Sequence, residues 1–226
     1  QGTRVLNTKK VPIFDEAGKP EYLLAICEDI TERKQAEGEL LMQHQRAQLL
    51  AEITLKVRQS LQIEEILQTT VQEVLHLLKT DRVLIYQLLP DNSGKVVTEA
   101  VSEGCIPILG ENITDPCFGE KYLQLYAGGR VRAIDNLEQS DLQLCHVELL
   151  KKFDVKANLV VPILINEELK IKHGDKFDNS QSSKLNSRLW GLLIAHQCSE
   201  SRQWISFEIE LLQQLADQVS IALFQA

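Results

Sequence analysis

The sequence predicts an α+β protein, an antiparallel sheet flanked by helices and approached through a long helix from a separate β-hairpin. Three observations carry that prediction. Apolar residues recur at helical spacing over 31–61, 63–78 and 205–225. Between the second and third of these segments the apolar runs are short, β-branched and bounded by turn residues, as strands are. The order helix, two strands, irregular segment, further strands and closing helix then gives an antiparallel sheet with helices packed on it.

Residues 3–30 read as the hairpin. Val11, Ile13 and Phe14 end one strand, Asp15-Glu16-Ala17-Gly18-Lys19-Pro20 supplies turn chemistry, and 22–27 form the return strand. Two strands bury no core alone, so the hairpin is expected to belong to a domain whose earlier part precedes Gln1. Residues 31–61 carry Gly38 but no proline, and Ala36, Leu40, Ala47, Leu50, Ile53 and Val57 recur at helical steps. Thr31 and Lys34 do not form a capping box, so the start of this helix is unmarked. Its apolar stripe suits either a parallel dimer with a second copy or packing on its own domain.

Residues 63–78 form the second helix, with Ile66, Leu67, Val71, Val74 and Leu78 along one face. Residues 82–89 are a strand, ended by Pro90-Asp91-Asn92-Ser93-Gly94, and 95–101 return as its hairpin partner. The mixed signals of 104–129 predict loops and short helices. A short strand over 131–134, a helical turn or two over 147–153, and buried strands over 157–165 and 189–197 follow. Between the last two lies a polar insertion, 166–188, read as a long solvated hairpin loop. The closing helix, 205–225, carries Ile209, Leu212, Leu215, Ala216, Val219 and Leu223 on one side and stops in mid-pattern, so an output domain is expected beyond it.

Composition narrows the function classes. With 44% apolar and 25% charged residues the chain can build a proper core. A net charge of −8 without a basic run argues against nucleic acid, whose phosphates need clustered Lys and Arg. No apolar stretch approaches the roughly 20 residues that span a bilayer, and no leader segment opens the chain, so a cytoplasmic location is expected. Five widely spaced cysteines without a Cys-x-x-Cys pair predict free thiols rather than a disulfide framework or a zinc site. Cys27 and Cys198 read as inert core thiols. No Ser/His/Asp set, phosphate-cradling glycine loop or carboxylate pair stands out, so an enzyme is not expected here.

Two resemblances add to this reading. Asp29-Ile30-Thr31-Glu32-Arg33-Lys34 is similar to the closing motif of PAS domains, which divides the chain into a C-terminal PAS fragment over 1–30, a linker helix over 31–61 and a sensor domain over 62–226. Arg82-Val83-Leu84-Ile85-Tyr86, Asp115-Pro116-Cys117-Phe118, Cys145-His146, Lys156-Ala157-Asn158-Leu159-Val160-Val161-Pro162-Ile163 and Leu189-Trp190-Gly191-Leu192-Leu193-Ile194-Ala195-His196-Gln197-Cys198 occur in order. Together they resemble the bilin-binding GAF domains of cyanobacteriochromes, in the phytochrome superfamily.

That resemblance implies a photoreceptor. Cys145 would attach a linear tetrapyrrole, phycocyanobilin or phycoviolobilin, through a thioether at ring A, with His146 packed against it. Asp115, Cys117 and Phe118 fit the Asp-Xaa-Cys-Phe motif of a two-cysteine subgroup, in which Cys117 adds reversibly to the central methine bridge. That addition splits the conjugation, so a violet or blue state alternates with a green, teal or orange one, and a thiol near its ordinary pKa suits the reversal. Asp115 would accept from the pyrrole N–H groups. Arg130 and Arg132, placed on one face of the short strand by alternation, would hold the propionates, Arg130 foremost. Tyr122, Tyr126 and His196 would line the pocket. The partners implied are the bilin, a second copy through the linker helices, and the output domain. Two features depart from the family: Cys105-Ile106-Pro107 follows Gly104, placing a third thiol near the pocket, and the 166–188 insertion would cover the pocket mouth. The competing readings are a one-cysteine red/green sensor, a non-covalent GAF sensor for a ligand such as a cyclic nucleotide, and a structural dimerisation unit.

Overall fold

The computed structural model describes residues 3–58, 62–91, 93–115, 117, 119–166 and 187–225. They divide into two compact units, one ending at Glu52 and one beginning at Ile53.

In the first unit β1 (Leu6–Phe14) and β2 (Pro20–Asp29) pair antiparallel. Their turn is held by Asp15, whose Oδ1 accepts from the backbone N–H of Ala17 at 3.0 Å and of Lys19 at 2.7 Å. Every residue of both strands is exposed. Cys27 is therefore an exposed thiol, 3.5 Å from the Thr8 hydroxyl, and not the core residue expected of it. The core reading failed because a two-stranded ribbon has no second layer to bury one of its faces. Helix α1 (Thr31–Arg58) starts at a clear cap: Asp29 Oδ1 accepts from the Thr31 N–H at 3.0 Å and from its hydroxyl. Thr31 Oγ1 in turn accepts from the Val5 N–H at 2.8 Å, so the helix start is pinned to the hairpin. Along α1, Ala36, Leu40 and Ala47 are exposed, while Ile53 is buried where the second unit begins.

The second unit is one antiparallel sheet with helices on both faces. Helix α2 (Ile63–Leu78) leads into β3 (Arg82–Leu88), β4 (Gly94–Val101) and β5 (Asn112–Ile113). Helix α3 (Glu120–Ala127), β6 (Arg132–Ile134), a 3-10 turn (Leu137–Gln139) and α4 (Leu144–Lys152) follow, and β7 (Ala157–Asn166), β8 (Ser187–Gln197) and α5 (Ser206–Gln225) complete it. The strand order is β5-β4-β3-β8-β7-β6. Residues 167–186, nearly all of the predicted insertion, lie outside the described residues, as do 59–61 at the end of the predicted linker helix. The helix predicted over 147–153 begins at Leu144, so Cys145 and His146 stand inside its first turn rather than ahead of it.

Strand alternation sorts the sheet into two apolar faces. Ile85, Leu193 and Val161 stand opposite one another across three strands, as do Val83, Ala195 and Leu159, and all six are buried on the side that carries α2 and α5. On the other face Leu84, Tyr86, Val160 and Leu192 join Ile108 and Tyr126 in a second cluster. The sheet closes tightly around Tyr86. A Cβ at Gly191 would collide with the Tyr86 carbonyl oxygen, and one at Gly94 with the Tyr86 ring, so both glycines are needed for close approach. The Tyr86 hydroxyl then reaches the Ile113 carbonyl at 2.8 Å. Burial, with the charges of Asp115 and Asp91 adding, pushes that phenol up to about 12, so it stays a donor.

Candidate functional site

The second face of the sheet floors a cleft, and the strand register determines which residues meet there. One row runs Arg82, His196, Asn158, Ile134 across β3, β8, β7 and β6; the next runs Leu84, Ile194, Val160, Arg132. Residues directly opposite in antiparallel strands point to the same side, so four strands distant in sequence present one wall. Helices α3 and α4 and the segment around Asp115 enclose the rest. The resulting cleft holds about 970 Å³ including its open mouth and is mostly apolar with a few convergent polar groups.

Most of the site residues expected from sequence converge here. Asp115, Cys117, Tyr122, Tyr126, Arg130, Arg132, His146 and His196 all line the cleft. Phe118 lies outside the described residues. Cys145 is brought to the same place through its sulfur, which meets that of Cys117 as a disulfide, with Cα atoms 6.2 Å apart. This corrects the expectation of five free thiols: sequence separation of 28 residues concealed a pair that the fold closes. Cys145 sits in the first turn of α4.

Beside the cysteines, Asp115 Oδ2 and His146 Nδ1 form a close hydrogen-bonded pair. Asp115 Oδ1 accepts the Cys117 N–H at 2.8 Å, so one carboxylate orients both the histidine and the cysteine loop. Burial opposes ionisation of Asp115, but the hydrogen bond and charge of His146 and the Cys117 N–H outweigh it and hold its pKa below the ordinary carboxylate value. The carboxylate is anionic at neutral pH.

His196 is fully enclosed and its ring is locked from behind. Arg82 Nε donates to its Nδ1 at 3.1 Å, which leaves the proton of the neutral ring on Nε2. Burial, then the charges of Arg82 and His146, depress its pKa well below the usual histidine value. Arg82 was missed as a site residue. It is completely buried, and its Nη atoms donate to the carbonyls of Ile106 and, at 2.9 Å, of Phe153. A cation opening an otherwise apolar strand run was the available signal.

Arg130 and Arg132 both reach the cleft, but not by sharing a strand face. Strand β6 starts at Arg132, and Arg130 stands in the turn that Gly129 opens at φ 85°, its N–H bound to the Leu125 carbonyl at 3.0 Å. Arg132 pairs with Asp141, yet its buried Nε lacks a hydrogen-bond partner, as does the buried Oδ1 of Asn158. Buried polar atoms are nearly always satisfied. An orphan donor and an orphan acceptor on two rows of one cleft wall therefore fit a ligand that carries both anionic and N–H groups. Asn158 was also missed; it is the one polar side chain in the run 157–165. The third thiol, Cys105, is not among the lining residues; its sulfur lies 3.1 Å from that of Cys198, which follows β8 two residues beyond His196.

The comparisons with known proteins agree with this architecture. The GAF domain family model matches residues 62–223, and the chain belongs to that family. Within it the likeness is to cyanobacteriochromes and other bilin-binding GAF domains. The blue-light-absorbing form of the Thermosynechococcus elongatus PixJ GAF domain is 34% identical, with a TM-score of 0.58, over 72% of this chain and 87% of that one. The phycocyanobilin-bound GAF domain of a cyanobacterial phytochrome is 31% identical, with a TM-score of 0.64, over 80% of this chain and 94% of that one. Among curated proteins, the "Putative methyl-accepting chemotaxis protein" of Synechocystis is 39% identical over 79% of this chain, and the circadian input-output histidine kinase CikA of Synechocystis is 31% identical over 82%. The chain spans 16% and 25% of those two proteins' lengths.

Proposed function

We propose that this chain is a bilin photosensor of the two-cysteine kind, a sensory module rather than an enzyme. The observation that carries the reading is the meeting of Cys117 and Cys145 at the edge of one cleft, beside Asp115 and His146. In the reduced protein Cys145 forms the lasting thioether and Cys117 the reversible one, so both sulfurs must reach one ligand. The buried Asp115 carboxylate accepts N–H donors, Arg132 Nε and Arg130 pair with carboxylates, and His196 offers its Nε2 proton. A linear tetrapyrrole such as phycocyanobilin or phycoviolobilin has that complement of groups, and when bound it supplies the light-driven isomerisation of a conjugated chain. The two resulting shapes would bias α1 and α5, which lead towards a second copy and an output domain. No helix among the described residues is long and apolar enough to cross a membrane.

The test is the protein co-produced with phycocyanobilin, with spectra taken before and after illumination. A covalently coloured, photoreversible product with one violet or blue state is expected. Cys117→Ala should stay coloured but lose the short-wavelength state, and Cys145→Ala should release its pigment on denaturation. Colourless protein, or pigment unaffected by light, overturns the reading. If Cys117→Ala absorbs as the parent does, the one-cysteine sensor replaces it.

A further inference from the structure

Cys105 and Cys198 have no part in the proposed pigment chemistry, yet the fold brings them together from 93 residues apart. Their sulfurs are 3.1 Å apart, and both residues are half-buried. Cys198 directly follows β8 and is anchored: its N–H donates to Asp81 Oδ2 at 2.7 Å, in a carboxylate cradle shared with Ser199 and Gln197. Cys105 sits on a short turn whose N–H binds the Ser102 carbonyl at 3.2 Å. A disulfide needs the sulfurs at roughly 2.05 Å, so they must close by about 1 Å. One partner is anchored and the other rides a loop.

We propose that Cys105 and Cys198 are a second, reversible redox pair, oxidised to a disulfide by small disulfides such as glutathione disulfide. Burial, with its contact to Cys105 adding, pushes the Cys198 thiol up to about 12, so at neutral pH Cys198 is protonated and Cys105 is the attacking sulfur. Cys105 loses its proton to solvent and attacks one sulfur of glutathione disulfide, forming a mixed disulfide and expelling one glutathione thiolate. Cys198 then loses its proton and attacks the Cys105 sulfur, forming the internal bond and expelling the second thiolate. Two electrons and two protons pass from the pair to give two glutathione molecules. The new bond would lie one residue from Ile106, whose carbonyl holds Arg82, so oxidation stiffens the support behind His196.

The test uses the reduced full chain equilibrated in glutathione buffers of rising oxidised fraction, acid-quenched, alkylated, digested and mapped by mass spectrometry. A peptide linking Cys105 to Cys198 is expected to accumulate and to vanish with dithiothreitol. Cys198→Ser should trap glutathione on Cys105, whereas Cys105→Ser should leave Cys198 largely unmodified. The map distinguishes this link from that between Cys117 and Cys145, so the outcome is independent of the pigment. If Cys105 and Cys198 are recovered separately alkylated while the exposed Cys27 takes up glutathione, or if Cys105 links elsewhere, the proposal is overturned. The wild-type map decides the matter even if a variant fails to fold.

Discussion

Arg82 donates its Nε–H to Nδ1 of His196 at 3.1 Å, and so a residue outside the cleft determines which edge of the histidine faces into it. The same guanidinium holds the carbonyls of Ile106 and Phe153. Arg82→Met would leave three acceptors without this donor, of which His196 Nδ1 is buried and the two carbonyls half-buried. Leaving a buried acceptor unpaired costs about 1–3 kcal/mol, so a loss of about that size is expected in urea unfolding. Arg82→Lys, with a point charge instead of a fork, should recover only part of it. Full stability in Arg82→Met would show that the bonds contribute nothing.

His196 makes stability depend on pH. Its folded pKa lies below the unfolded value near 6.5, so the unfolded state binds a proton first as the pH falls. Its contribution is complete above about 6.5 and is lost as pH falls from there towards the folded pKa. Urea midpoints should therefore drop between pH 7.5 and 5.5, and His196→Gln should flatten that drop. An unchanged slope in the variant would assign the dependence to other groups.

The joined sulfurs of Cys117 and Cys145 predict that pigment attachment depends on reductant. Purified protein mixed with phycocyanobilin should form the covalent adduct several-fold faster after dithiothreitol treatment. Cys117→Ala, which cannot close this disulfide, should attach pigment equally well with or without reductant. Equal rates for the wild-type protein in both conditions would mean that the pair does not gate assembly.

Asn158 has a buried, unpartnered Oδ1. Asn158→Leu keeps the branching and heavy-atom count and removes the desolvation penalty, so the pigment-free protein should gain on the order of 1 kcal/mol, read from urea midpoints. The same variant should hold bilin less firmly or with a shifted band. Destabilisation would instead show that the amide already has a partner.

Gly191→Ala tests the closeness of β3 and β8. The added methyl meets the Tyr86 carbonyl oxygen, an atom of the backbone that cannot rotate aside. Forcing the strands apart should cost about 1–3 kcal/mol, seen as a lowered thermal midpoint. A neutral effect would mean that the sheet yields there.

Local patterns carried most of the fold. Ile63–Leu78 begins and ends where its apolar stripe does, and the strands over 82–89 and 95–101 were marked by β-branched residues and the turn between them. The motif residues Asp115, Cys117, His146 and His196 were legible through the resemblance to bilin-binding GAF domains, since each taken alone reads as an ordinary turn, core or incidental residue. Arg82 and Asn158 were not, since each looks ordinary until the register of β3, β8 and β7 sets them in one row with His196. Cys27 was misplaced because whether a thiol is covered depends on layers contributed from elsewhere in the chain.

By itself, then, the order of residues determined element type and length, because helix and strand periodicities are local properties of the backbone. It also marked which side chains had chemistry to offer. Which of them meet was decided only by tertiary structure: the pairing of Cys117 with Cys145 and of Cys105 with Cys198 depends on strand order and loop path. Those are set by burial of the whole sheet, an energy that no short segment contains.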